Sequence, residues 1–155
     1  MALSTIQFTQ EQTRTLTGVT AGDLRHWRKS VPYLAAKPGK SARFTFTDLV
    51  ALSITRQLIA TYGVHIAPIA LSVDSLFRLL TDARLEDLET GFVVVSGDAA
   101  ELCQSYELGR FATAPVLVAP CAPAIAAIRG QVTPFDRQDQ QAALPFPPHI
   151  VRAGA

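Results

Sequence analysis

The stretch Leu16-Thr17-Gly18-Val19-Thr20-Ala21-Gly22-Asp23-Leu24-Arg25-His26-Trp27-Arg28-Lys29 decides how the chain reads. Leu16-Thr17 closes one helix, Gly18 is the residue type that takes the left-handed conformation at a helix end, Val19 supplies an apolar anchor, and Thr20 starts the next helix. Together these residues spell the turn of a helix-turn-helix. The second helix, expected from Ala21 to about Ser30, sets Leu24 and Trp27 three residues apart on one side. Arg25, His26, Arg28 and Lys29 are left to project around the rest.

Working outward, the same kind of helix start occurs three times: Thr9 with Gln12, Thr20 with Asp23, and Thr45 with Asp48. In each, a hydroxyl can accept from the amide three residues on while the longer side chain reaches back, satisfying donors that a helix start leaves orphaned. Three helices are therefore predicted to begin in the first third of the chain. Between the second and third lies Val31 to Ala42, with Pro32, Pro38, Gly39, Lys37 and Lys40. It closes on Arg43-Phe44-Thr45-Phe46, whose aromatic alternation suggests a short strand and hence a basic β-wing. The third helix, Phe46 to Tyr62, repeats apolar residues at three-and-four spacing and stops at Gly63. A fourth is expected from about Ile66 to Leu80, with His65 as its cap and Pro68 in its first turn, where a missing amide costs nothing.

These residues resemble a family. Phe8-Thr9, Thr17-Gly18-Val19-Thr20, Leu24-Arg25-His26-Trp27, Arg43-Phe44-Thr45 with Asp48-Leu49, and Gly63-Val64-His65-Ile66 with Ile69 are similar, in order and spacing, to the N-terminal domain of MerR-type regulators. The resemblance covers about residues 6 to 80. It implies a winged helix-turn-helix homodimer whose second helix enters the major groove while the wing touches adjacent backbone. By position, Thr20 and Arg25 would meet phosphates or base edges, His26 would lie at the groove, Trp27 would brace the helix or contact sugar-phosphate, and Arg43 would hold the wing. The first helix departs from the family, since Gln10-Glu11-Gln12-Thr13-Arg14 leaves mainly Ile6, Phe8 and Leu16 to dock it. Arg28 stands where the family commonly has an acid, and Val31-Pro32-Tyr33 replaces its Gly-Leu-Leu. The full set of expected DNA contacts is Thr9, Arg14, Thr20, Arg25, His26, Trp27, Arg28, Lys29, Lys37, Lys40 and Arg43. For Trp27 a packing role outweighs base reading, because a large ring spaced from Leu24 usually packs.

Charge is divided along the chain in the same sense. Met1 to Tyr62 holds 8 basic residues against 3 acids, a net of +5, while Gly63 onward holds 6 against 10, a net of −4. Such a split is what a nucleic-acid-binding end joined to a non-binding end shows. The second half reads differently. Thr81 to Thr90 offers only Leu85 and Leu88 before Gly91, too little for a coiled coil. Phe92 to Ser96 and Pro115 to Ala119 read as buried strands, with a turn at Gly97-Asp98 before Ala100 to Cys103. Ala124 to Arg129 reads as a small helix ending at Gly130. The expected fold is α+β: a winged helix-turn-helix DNA-binding domain over residues 1–80, a small α/β dimerisation or effector region over 81–130, and an irregular C-terminal tail over 131–155 with Phe146 and Ile150 as anchors.

Several classes are disfavoured. The apolar run from Phe111 to Ile128 is broken by Pro115, Pro120 and Pro123 and reads as core rather than a membrane span. Cys103 and Cys121 read as two packed thiols, not a disulfide framework or a closed metal site, and no cofactor is expected. The N-terminus reads as lacking a secretory leader, so a cytoplasmic setting fits. His26, His65 and His149 are scattered, and there is no phosphate-binding or nucleophile-elbow motif, so no enzyme is expected. The expectation is a sequence-specific regulator acting as a homodimer on double-stranded DNA at a pseudo-palindromic operator, with RNA polymerase as a further partner and no membrane. The alternatives are an architectural, excisionase-like recombination factor, or a ligand- or protein-interaction module built on the C-terminal region.

Overall fold

In a computed structural model, the structure describes residues 6–142, with side chains as far as Val132. All three predicted helix starts form. Thr9 Oγ1 accepts from Gln12 N at 3.2 Å, Thr20 Oγ1 from Asp23 N at 3.0 Å, and Thr45 Oγ1 from Asp48 N at 3.2 Å, each with the reciprocal bond in place. They open α1 (Gln10–Thr17), α2 (Ala21–Arg28) and α4 (Phe46–Tyr62). Gly18, at φ +71°, ends α1 and passes its amide to Arg14 O at 2.9 Å. An L-residue with a side chain would be strained there.

Between α2 and α4 the path is not the expected wing. Pro32–Ala35 forms a single helical turn, α3, because Pro32 brings a fixed φ and no amide to the first helical position while Leu34 is buried beneath it. The predicted strand is present as β2 (Arg43–Thr45). Its partner is β1 (Gln7–Thr9), ahead of α1, and not a strand from residues 31–42. The register sets Thr9 opposite Arg43 and Phe8 opposite the fully buried Phe44.

From Ile66 the chain forms α5 (Ile66–Thr81), whose stripe of Ile69, Val73, Leu76, Phe77 and Leu80 is buried, and then the short α6 (Leu85–Thr90). β3 (Phe92–Val95), β4 (Ala100–Cys103) and β5 (Leu117–Pro120) make a sheet in the order β4-β3-β5, antiparallel at both junctions. A 3-10 segment, Ser105–Phe111, links β4 to β5. The region is therefore an antiparallel sheet against a helix rather than a parallel βαβ unit.

The last helix corrects the reading of the C-terminus. α7 runs over Ala122–Ala142, through Gly130, where a short helix and then an irregular tail were expected. Gly130 has open space around it and costs about 1 kcal/mol against alanine, which weakens a helix without ending it. Ala124, Ile125 and Ile128 are buried, Val132 packs beside them, and Gln131 Nε2 donates to Leu16 O at 3.2 Å. This stripe docks α7 on α1, α4 and α6. Phe146, His149 and Ile150 lie outside the described residues. One hydrophobic cluster extends from Leu16 to Ile128, so α1, α4, α5, the sheet and α7 share a core across the boundary expected at residue 80.

Candidate nucleic-acid interface

α2 is fixed by its buried side and cationic on the other. Leu24 is fully buried and Trp27 is 4 % exposed, while Arg25, His26 and Lys29 are exposed. Trp27 is thus a core residue that braces α2, and it is removed from the set of base readers. Ser30 N and Val31 N both donate to its carbonyl, closing the helix, at 3.0 and 2.8 Å.

Two further cations border α1. Arg28 is half-buried and donates from Nη2 to Gln10 Oε1 at 2.7 Å, joining the end of α2 to the start of α1. Burial holds its guanidinium below the ordinary arginine value. Arg14 follows Gln10 by one helical turn and is also half-buried. The Nε atoms of both arginines are buried without a hydrogen-bond partner among the described residues. Since Gln10 follows Thr9, and Thr9 faces Arg43 across the strand pair, the Arg28 and Arg43 neighbourhoods are brought together from residues 15 apart in sequence.

Lys37 and Lys40, paired in the sequence reading, separate. Lys40 and Arg43 are exposed, and the Arg43 guanidinium rests on the carbonyls of Ser41 and Ala42 at 3.1 Å. Lys37 turns inward. Its ammonium lies 3.3 Å from Asp48 Oδ2, donates to Arg43 O at 2.9 Å, and sits 5.5 and 5.7 Å from the centroids of Tyr33 and Phe44. Lys37 is a structural cation and is withdrawn from the interface. The hydroxyls of Thr9 and Thr20 accept within their capping boxes, which leaves each a proton to donate outward.

Three residues escaped the sequence reading. Asp48 was read only as a cap, yet it is fully buried and also accepts from the Tyr33 hydroxyl at 2.7 Å. Tyr33, which carried no sequence signal beyond following Pro32, stacks on Phe77 and takes Asp74 Oδ1 on its backbone amide at 2.7 Å. It ties the segment after α2 to α5. Arg56, an exposed cation on α4, lies over the α1–α2 turn, its Cζ 3.2 Å from where a Cβ on Gly18 would stand. The i to i+4 pattern of α4 places Arg56 off the apolar stripe, but only the packing of α4 on α1 reveals what it reaches.

Charge pairing follows the division seen in the sequence. Past Tyr62, Arg78 meets Asp74 at 2.9 Å, Arg110 meets Glu107 at 3.7 Å and Arg129 meets Glu89 at 2.6 Å, while Arg84 has no ion-pair partner among the described residues. Among the described residues, Lys37 alone of the cations up to Tyr62 has an ion-pair partner. Arg14, Arg25, Arg28, Lys29, Lys40, Arg43 and Arg56 have none.

No protein-family model matches this chain, and no curated protein or solved structure is significantly similar to it. The functional reading therefore rests on the geometry. Two other features compete with these cations as a functional site. An open cleft between α5 and the β3–β4 turn, lined by Leu71, Asp74, Ser75, Arg78, Leu79, Asp98 and Ala100, has its one cation already held by Asp74. Cys103 and Cys121 are buried free thiols, and burial pushes Cys121 up to about 11, which opposes thiolate chemistry. Among the described residues no helix is long and apolar enough to cross a membrane.

Proposed function

We propose that the protein is a sequence-specific regulator that binds double-stranded DNA through a MerR-like helix-turn-helix, with the β1–β2 pair in place of the expected wing, and acts as a homodimer on a pseudo-palindromic operator. The observation that carries this reading is that seven of the eight cations up to Tyr62 have no carboxylate partner, whereas of the four later arginines with described side chains Arg78, Arg110 and Arg129 are paired and only Arg84 is not. A fold holding that many unpaired charges on α1, α2 and β2 is stabilised by an external polyanion, and phosphate backbone supplies one.

Roles follow from exposure and position. α2 lies in the major groove, held by Leu24 and Trp27 against the core, and presents Arg25, His26 and Lys29. Arginine reads guanine edges bidentately or grips phosphate, and histidine reads or bonds at the groove. Arg43, on the strand paired with β1, and Lys40 just before that strand meet the flanking backbone, and Arg14 on α1 and Arg28 on α2 add charge. Thr9 and Thr20 donate their remaining protons to phosphates at two helix N-termini, where backbone amides already favour anions. One such module has limited reach, so two copies on related half-sites give the required specificity.

Selection of a preferred duplex from a random pool, followed by fluorescence anisotropy across a salt series, tests the reading. A preferred site should emerge. Arg25→Ala should weaken binding by about tenfold and reduce the slope of log affinity against log salt by about one. A chain that enriches no sequence, or an Arg25→Ala variant with unchanged affinity and slope, would remove DNA recognition by this surface.

A further inference from the structure

The sheet has two edges, β4 and β5, and they are finished differently. Ladder bonds alternate along an antiparallel strand, so two anchoring bonds fix which backbone groups face outward. Ser96 N donates to Ala99 O at 2.9 Å beside the β3–β4 turn, and Cys121 N donates to Gly91 O at 3.1 Å at the far end of the β3–β5 pair. Counting by twos, Phe92 and Val94 bond to β4, while Val93 and Val95 bond to β5 at Ala119 and Leu117. On β4 the outward amides are those of Ala100 and Leu102, and α5 covers the first: Ser75 Oγ accepts from it at 3.2 Å. The exposed Glu101 adds a charge to that strand.

On β5 the outward amide is that of Val118, with Val116 next in phase just ahead of the strand, and among the described residues neither has a hydrogen-bond partner. Nor is there a guarding charge, for none occurs between Phe111 and Ile128. Natural sheets guard an edge by covering it, charging it, keeping it short or placing proline on it; β5 is four residues long and ends in Pro120, but it carries no charge. We propose that β5 pairs antiparallel with β5 of a second copy of this chain across a twofold axis, so that the two sheets become one.

The occupant is a second copy because the edge is complementary to itself. With Val118 facing its own counterpart, each amide meets the other's carbonyl, and the outward amide of Val116 meets the carbonyl of Pro120. Proline has no amide to leave unmet at that position. An uncharged strand does not repel its copy, and half-buried Val116 and Val118 extend the apolar outer face that already holds buried Val94. The proposal takes from the DNA-binding reading only the twofold symmetry that a pseudo-palindrome requires.

Light scattering coupled to size exclusion, on the full chain without DNA, tests it. The expected mass is twice the 16.7 kDa of one chain. Val118→Pro, which deletes an outward amide and leaves the β3–β5 bonds in place, should elute at the single-chain mass with an unchanged far-UV circular dichroism spectrum. Val118→Lys keeps the amide but sets like charges face to face, and it should do the same; it decides the matter if the proline variant does not fold. Glu101→Lys on the other edge should stay dimeric. A monomeric wild type, a dimer that survives both Val118 variants, or a dimer lost with Glu101→Lys would overturn the interface. A dimer that binds no DNA supports this interface and removes the regulator, whereas a monomer that selects a duplex does the reverse.

Discussion

Asp48 ties together three parts of the N-terminal half. Its carboxylate caps α4 through Thr45 N, accepts the Tyr33 hydroxyl, and holds the Lys37 ammonium. The phenol is placed where ionisation is costly. Burial, with help from the Asp48 charge, pushes Tyr33 up to about 12 from its ordinary 10.0. Burial likewise pushes the Cys121 thiol up to about 11 from 9.0. A group whose folded pKa lies above its unfolded value favours the fold fully below the unfolded value, and that contribution fades as pH rises through the folded one. Stability from these two residues should therefore be constant up to about pH 9 and fall between about pH 9 and 12. Urea unfolding at a series of alkaline pH values measures it. Cys121→Ala should remove the lower part of the fall and Tyr33→Phe the upper part, and a flat profile for the wild type would contradict the assignment.

At the scale of elements, local rules start the helices and close packing sets their joints. The joint between α6 and β3 is the tightest. Gly91 has an ordinary negative φ, so its need is for space: an added Cβ would collide with the Asp87 carbonyl oxygen and come within 2.9 Å of Leu102 Cδ1. Its carbonyl also accepts from Cys121 N, which sets where α7 begins. Gly91→Ala should cost about 2 to 3 kcal/mol in chemical denaturation, the range of an overpacked core. Gly130→Ala, in open space within a helix, should stabilise by up to about 1 kcal/mol. The reverse ranking would mean that α6 and β3 are not joined as described. Much of this scale was legible in advance. Thr9, Thr20 and Thr45 announced their helices because a capping box is complete within four residues. The partner of β2 was not legible, because Arg43-Phe44-Thr45 pairs with Gln7–Thr9 across two helices, and periodicity carries no information about which distant strand is met.

For the whole molecule, a core shared from Leu16 to Ile128 means that the cationic helices and the sheet are not independent units. Two routes join them: Tyr33 bonds and stacks onto α5, and α7 packs on α1 with Gln131 bonded to Leu16 O. Thermal or urea unfolding should therefore be a single cooperative transition. The one tryptophan, Trp27, reports on the N-terminal helices by fluorescence, while far-UV circular dichroism reports on every helix. The two curves should superimpose. A Trp27 transition separated from the dichroism transition would show that residues up to about 80 fold on their own. The same coupling bears on the proposed function, since a dimer joined through β5 would hold two α2 helices at a spacing set by a continuous packed core.

The sequence by itself determined where α1, α2, α4 and α5 begin, the turn at Gly18, the strand at Phe92 and the division of charge, because each is written in residues at most a few positions apart or in simple composition. Only the tertiary structure decided which cations are free. Lys37 and Lys40 look alike in sequence, yet one is drawn in by Asp48, Tyr33 and Phe44 and the other stays in solvent. It also decided that α7 passes Gly130, because Val132 packing on the core and Gln131 bonded to Leu16 O, both just beyond it, outweigh a glycine's local cost. Burial and ion pairing depend on residues brought together by the fold, and their energies exceed the local preferences that a linear reading can see.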